Sequence, residues 1–197
     1  MTVLNAAADR SFDNQVFEGV APSATDFAGY KFTKCVFKGC DLSNIKLTGS
    51  LFMDCEFLDC NFSNVKIGGC SFRGVTFTGC KFIGVIFDAV NPFILDWCFR
   101  KCKLDMCSFS TLKMKGSRFI ECVVHKTDFL NVDLTESDFS GSDLNGSQFD
   151  NAILEKSNFT GARRYYIDPT KNRLKHARFS HPDVLSLLAP FEIKIGD

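Results

Sequence analysis

The sequence predicts an all-β solenoid of square cross-section, and three observations predict it. Large apolar residues recur at every fifth position, compact residues recur two places ahead of them, and the aromatic content is skewed to 22 Phe against 3 Tyr and 1 Trp. Phe12, Phe17, Phe27, Phe32, Phe37, Phe52, Phe57, Phe62, Phe72, Phe77, Phe82 and Phe87 share one phase, with Pro22, Leu42, Leu47 and Ile67 in its other slots. The phase then slips by two. It resumes at Ile94 and Phe99 and runs through Leu104, Phe109, Met114, Phe119, Val124, Phe129, Leu134, Phe139, Leu144, Phe149, Leu154 and Phe159.

A period of five belongs neither to a helix (3.6) nor to an ordinary strand (2). It requires a chain that turns after every five residues, so that four sides close a coil of twenty. The large residue of each side then points to the axis. The compact residue two places earlier, such as Cys35, Cys60, Val85, Ser117, Ser137 or Ala152, also points inward, where only a small side chain fits. Residues twenty apart stack on one face, about 4.8 Å from coil to coil. Cys40, Cys60 and Cys80 form such a column. If the slip is a two-residue bulge, Cys102 and Cys122 continue it, while Phe99, Phe119, Phe139 and Phe159 fill one face and Phe109, Phe129 and Phe149 the opposite one.

The chain divides accordingly into an N-terminal lead-in (1–9), a β-helix (10–162) interrupted at 88–98, and a C-terminal tail (163–197). In Val20–Ala24, Pro22 replaces an inward apolar residue and cannot donate to a ladder. In the second interruption Pro92, Phe93 and Trp97 form a candidate protein-binding knob, with Phe93 off register. Trp97 falls in a compact slot, which leaves it two places: outward, or into a wider joint. In the tail the pattern dissolves. Ser180 reads as a helix N-cap, Pro182 as the first turn, and Pro190 as the stop, with Glu192–Ile195 alternating as a short strand. Such an element covers the open end of a ladder, and Val184, Leu187, Leu188, Phe191, Ile193 and Ile195 are its candidate dimerisation residues.

Runs such as Thr127-Asp-Phe-Leu-Asn131, Ser137-Asp-Phe-Ser-Gly141 and Ser142-Asp-Leu-Asn-Gly146 resemble the A(D/N)LXX consensus of pentapeptide-repeat proteins, over about residues 10–162. The resemblance implies a right-handed quadrilateral β-helix. Ile167-Asp-Pro-Thr-Lys-Asn-Arg-Leu174 and the stretch from Pro182 to Ile195 resemble the tails of the quinolone-resistance and microcin-immunity branch. In that branch a terminal helix and strand cap the coil and pair two rods into a homodimer.

Chemistry for catalysis is absent from the pattern. Nine of ten Cys occupy compact slots, no CxxC occurs, and so neither a metal nor another cofactor is expected. Many unpaired Cys point to a reducing cytoplasm. His125, His176 and His181 are isolated, and no Gly-rich phosphate loop is present. No apolar run approaches the ~20 residues of a membrane span, and Met1–Asn5 lacks the start of a signal peptide.

Charge sums to zero, with 23 Lys and Arg against 23 Asp and Glu, which excludes a globally basic nucleic-acid binder. The distribution is uneven: residues 128–158 hold seven acids and one base. Asp128, Asp133, Asp138 and Asp143 lie on four successive faces and form a candidate binding ring. The expected function is a non-catalytic protein-binding scaffold. The alternative implied by the resemblance is a DNA mimic that binds the type II topoisomerase gyrase and protects it from quinolones or a toxin. Zero net charge and a ring in place of a stripe weigh against that alternative.

Overall fold

The computed structural model describes residues 10–21, 27–93, 95–194 and 196. The lead-in 1–9, Pro22, Ile94 and Ile195 lie outside the described residues. The described chain is a parallel β-solenoid of about eight turns. Each side contributes one to three ladder residues and then a corner, and every pairing is parallel and joins successive coils.

The longest face stacks Val16–Glu18, Val36–Lys38, Glu56–Leu58, Thr76–Thr78, Cys98–Arg100 and Arg118–Ile120. Phe17 pairs with Phe37, Phe37 with Phe57, and Phe57 with Phe77. Phe77 then pairs with Phe99 and Phe82 with Leu104, so the interrupted coil holds 22 residues in place of 20. Phe99 pairs with Phe119, and the period of twenty returns. The slip is therefore a two-residue bulge confined to one coil.

The axis is filled by stacked rings. Phe17, Phe37, Phe57, Phe77, Phe99, Phe119, Phe139, Phe159 and Phe179 form one column, with ring centroids 4.6 to 5.2 Å apart. On the opposite side Phe87, Phe109, Phe129 and Phe149 stack the same way. Rings of these opposite columns meet edge-on across the axis, as Phe129 does with Phe139 at 5.8 Å, an arrangement that suits the quadrupoles of the rings. The ring spacing is the spacing of hydrogen-bonded strands, because each ring rides on its own strand.

The compact slot does more than save space. Its polar atom reaches into the corner and donates to the carbonyl 23 residues back: Ser147 Oγ to Val124 (2.7 Å), Ser157 Oγ to Leu134 (2.7 Å), Cys122 Sγ to Phe99 (3.4 Å). The same atom accepts the amide of the compact residue one coil back: Ser142 Oγ from Cys122 (2.9 Å), Ser147 Oγ from Thr127 (3.2 Å). Ser and Cys thus satisfy two inward backbone groups that no ladder serves. Size alone, the reason the sequence offers for a compact residue at these slots, does not account for that role. Burial pushes Cys55 and Cys70 up to about 12, so the thiols stay protonated and able to donate.

The solenoid does not stop at Ala162. Arg163 bridges to Asp143, Tyr166–Ile167 pairs with Gln148–Phe149, Arg173 bridges to Ile153, and Arg178–Phe179 pairs with Asn158–Phe159. The Tyr166 pairing is two residues short of the period, and the turn at Asp168–Lys171 restores it. This last coil keeps the shape without the five-residue code, which is why the pattern alone places the boundary too early.

The tail that follows also differs from the expectation. Asp183–Phe191 is a single 3-10 helix with Pro190 inside it. Ser180 does not cap it; its Oγ accepts the Gly161 amide at 2.8 Å. Asp183 Oδ1 accepts the Arg164 amide at 3.0 Å, so both residues are engaged with the corners of the solenoid. No strand forms over Glu192–Lys194; Glu192 adopts a left-handed conformation (φ 52°) that turns the chain away. Among the described residues no helix is long and apolar enough to cross a membrane.

Candidate protein-binding surface

With the axis occupied by rings, recognition falls to the outer surface. The bulge at 90–96 is its most distinctive part. Val90 and Leu95 are buried, and between them the chain loops out through Asn91, Pro92 and Phe93. The loop is clamped at both ends. The Asn91 amide donates to the Cys70 carbonyl at 2.7 Å, and Asp96 Oδ1 accepts the Gly74 amide at 3.0 Å. Asn91 Oδ1 also accepts the Phe93 amide at 3.2 Å, closing an Asx turn. Phe93 is left 69% exposed, more than any other large apolar side chain among the described residues. Pro92 beside it is exposed as well.

Trp97 does not belong to this knob. It is 1% exposed, and Nε1 donates to the Phe72 carbonyl at 2.9 Å. The Phe12–Phe32–Phe52–Phe72 column ends at the widened coil, and the indole covers Phe72 edge-on at 6.1 Å. The two extra residues make room for it, and its one donor is satisfied inside. Of the two places the sequence leaves for Trp97, the wider joint is the occupied one.

The acidic ring is present as a ring but not as free charge. Asp133 Oδ1 accepts the Thr135 amide (3.1 Å) and hydroxyl (2.6 Å), and Oδ2 lies 3.4 Å from Lys115 Nζ. Burial opposes its ionisation, but Thr135 and Lys115 more than offset this and hold Asp133 below its ordinary value. Asp138 Oδ1 accepts the Ser140 amide (2.9 Å) and the Asn158 side chain (3.0 Å). Asp143 is 2% exposed: Arg164 grips both of its oxygens, with Arg163 at 3.4 Å and His125 Nε2 at 3.3 Å. Asp133, Asp138 and Asp143 each close the next corner as an Asx turn, as Asp41, Asn61 and Asn158 do elsewhere. That local role, rather than a partner, accounts for much of the ring, and Asp143 is not available to a binding partner. Asp128 alone of the four has no side-chain partner among the described residues.

A separate acidic column does exist on one face. From Ile86 onward, the outward positions beside Phe87, Phe109, Phe129, Phe149 and Ile167 include Asp88, Asp128, Asp150 and Asp168 but no Lys or Arg. Ring-by-ring reading of the sequence overlooks it, because Asp88, Asp150 and Asp168 follow the inward residue where Asp128 precedes it.

At the C-terminal end Val184, Leu187 and Leu188 are half-buried against the last coil, and Leu187 packs on the core. Leu185, Phe191 and Ile193 are exposed. Sequence reasoning singles out Phe191 and Ile193 but not Leu185. Among the described residues no group of three or more His, Cys, Asp or Glu is placed to hold a metal ion.

Two solved structures are similar to this chain. Trypsin-treated QnrB1, a plasmid-mediated fluoroquinolone resistance protein, is 18% identical with a TM-score of 0.48, over 94% of this chain and 99% of that one. HetL, a pentapeptide repeat protein involved in heterocyst differentiation regulation in the cyanobacterium Nostoc sp. strain PCC 7120, is 11% identical with a TM-score of 0.46, over 88% of each chain. No curated protein matches the sequence. The family model for the pentapeptide repeat region matches residues 10–91 and 92–159, two spans that abut inside the bulge. The five-residue repeat of inward rings, compact donors and Asx corners falls within these spans, and this chain belongs to the pentapeptide-repeat family.

Proposed function

We propose that the chain is a non-catalytic scaffold that binds another protein through the mid-rod bulge. One observation carries this reading: Phe93 is held out to solvent on a loop whose two ends are hydrogen-bonded to the coil below. A large exposed aromatic on a rigid support loses little entropy on binding and makes a good interface anchor. Ten unpaired, buried Cys suit a reducing compartment, and the cytoplasm is the proposed location. The exposed Leu185, Phe191 and Ile193 support pairing of two rods through the tail. A photo-crosslinking residue at position 93, compared with one at Ser110, tests the anchor in the native host. A discrete adduct from position 93 alone is expected; equal or absent labelling at the two sites removes the reading.

A second reading is a gyrase-binding DNA mimic. It is favoured by the Asp88, Asp128, Asp150 and Asp168 column and by the end-to-end pairing that the tail permits. The neutralised ring and the zero net charge count against it. Gyrase supercoiling with and without a fluoroquinolone, titrated with the purified chain, decides between them. Protection or inhibition that Asp128→Asn with Asp150→Asn weakens supports mimicry. No effect of a folded protein sets mimicry aside and leaves the scaffold reading standing.

A further inference from the structure

The last two coils carry a charge pattern that neither reading uses. Residues 156–181 contain seven Lys and Arg against one Asp, together with His176 and His181. Two stacked pairs on this stretch, Lys156 with His176 at one corner and Asn158 with Arg178 on the adjoining strand, surround an open cleft of about 320 Å³. All four side chains therefore sit within two rungs of one another.

The carboxylates nearest the cleft are already engaged. Lys156 Nζ meets Glu136 Oε1 at 2.7 Å, and Asn158 Nδ2 donates to Asp138 Oδ1 at 3.0 Å. Arg173, on the neighbouring face, is turned to Glu155 at 2.7 Å. His176 and Arg178 have no acidic partner among the described residues. The cleft thus combines a guanidinium fork and an imidazole that are free of carboxylates with an ammonium shared with Glu136 and an amide shared with Asp138. That donor set suits a small tetrahedral anion, which can take the bidentate guanidinium of Arg178 and still present oxygens to the imidazole of His176 and the shared ammonium of Lys156.

We propose that this cleft binds a phosphate dianion or the phosphate of a monoester. Arg178 provides the bidentate contact, and Lys156 and His176 flank it. Free phosphate and a phosphorylated molecule present the same chemistry here. The test records the ring carbon–proton signals of all three His at pH 7 during titration with inorganic phosphate, against sodium chloride at matched ionic strength. A saturable shift confined to His176 is expected, with His125 and His181 unmoved. Arg178→Gln and Lys156→Gln should each weaken binding about fivefold or more, the range of one lost charge-assisted hydrogen bond. Both side chains lie on the surface, so thermal melting of the variants should match the parent. A parallel titration with phenyl phosphate separates the sources: binding at least as tight as phosphate assigns the group to a larger molecule, and exclusion assigns a free ion. A shift that is linear, that chloride reproduces, or that survives in both variants overturns the proposal.

Discussion

Asn172 does for Ala152 what a serine does elsewhere in the solenoid. Its Oδ1 accepts the Ala152 amide at 2.9 Å, and its Nδ2 donates to the Phe149 carbonyl at 3.0 Å. The pairing is that of Ser147 with the Thr127 amide and the Val124 carbonyl, served here by a longer side chain. Asn172→Leu leaves an inward amide and a carbonyl unpaired. It should cost ~1–3 kcal/mol in chemical denaturation. Asn172→Ser should recover part of that loss, and equal stability of Asn172→Leu and the parent would show that the corner is solvated.

The stacked column makes a second prediction. Phe139 is fully buried between Phe119 and Phe159, at 4.9 and 5.0 Å. Phe139→Ala opens a cavity that the flanking coils cannot close without breaking their ladders, so the expected loss is ~3–5 kcal/mol. Phe93→Ala, at an exposed position, should stay within ~0.5 kcal/mol. Thermal melts of the two variants check both figures at once.

Thiol chemistry gives a third. All ten Cys are free and buried. Burial raises Cys107 to about 11, and Cys55 and Cys70 to about 12. Only the thiolate attacks disulfide and alkylating reagents. The folded chain should therefore show no fast-reacting thiol at pH 8, and the denatured chain should show ten. Rapid titration of even one thiol in the native protein would mean that a compact slot opens.

The fourth concerns pH. Desolvation, and then the Arg164 charge, hold His125 below its ordinary value, while Asp105 pulls the other way. The folded state keeps this imidazole neutral where the unfolded chain would take up a proton. The sign follows: stability is intact above the unfolded value, about 6.5, and falls as pH drops below it. Asp133 contributes in a separate window, since its lowered value is a gain lost only as pH falls beneath the ordinary carboxylate range. Denaturation midpoints from pH 8 to 5 should decline for the parent and flatten for His125→Gln.

The solenoid and its four columns were legible because the inward slot recurs thirty times and holds a large apolar residue in all but Pro22, while most slots two places ahead hold a compact one. The two-residue slip was legible for the same reason, since the phase recovers at Phe99. Trp97 could be narrowed to two places but not decided, because its position depends on how far the adjoining bulge widens the coil, which the spacing does not state. The acids at 133, 138 and 143 looked like surface charge because hydrogen bonds to the residue two ahead, or to a base twenty away, leave no mark in a count of charges. The last coil escaped notice because Ile167, Asn172 and Arg173 keep the backbone path with different side chains. The single 3-10 helix with an internal Pro190 follows from a short segment fixed by Gly161 and Arg164, where local helix signals carry little weight.

The bulge at Asn91–Asp96 also says something about how such a rod tolerates change. An extra pair of residues is absorbed at one edge, as a dislocation is absorbed at a grain boundary, and Phe99 lands on Phe77 as though nothing had been added. Lengthening a side would throw every later ring off its column, whereas lengthening a corner costs only local hydrogen bonds. The segment between Val90 and Leu95 is therefore a natural splice point. Foreign sequence could be grafted there without disturbing the stacks on either side, and new binding specificity could arise there while the core stays fixed.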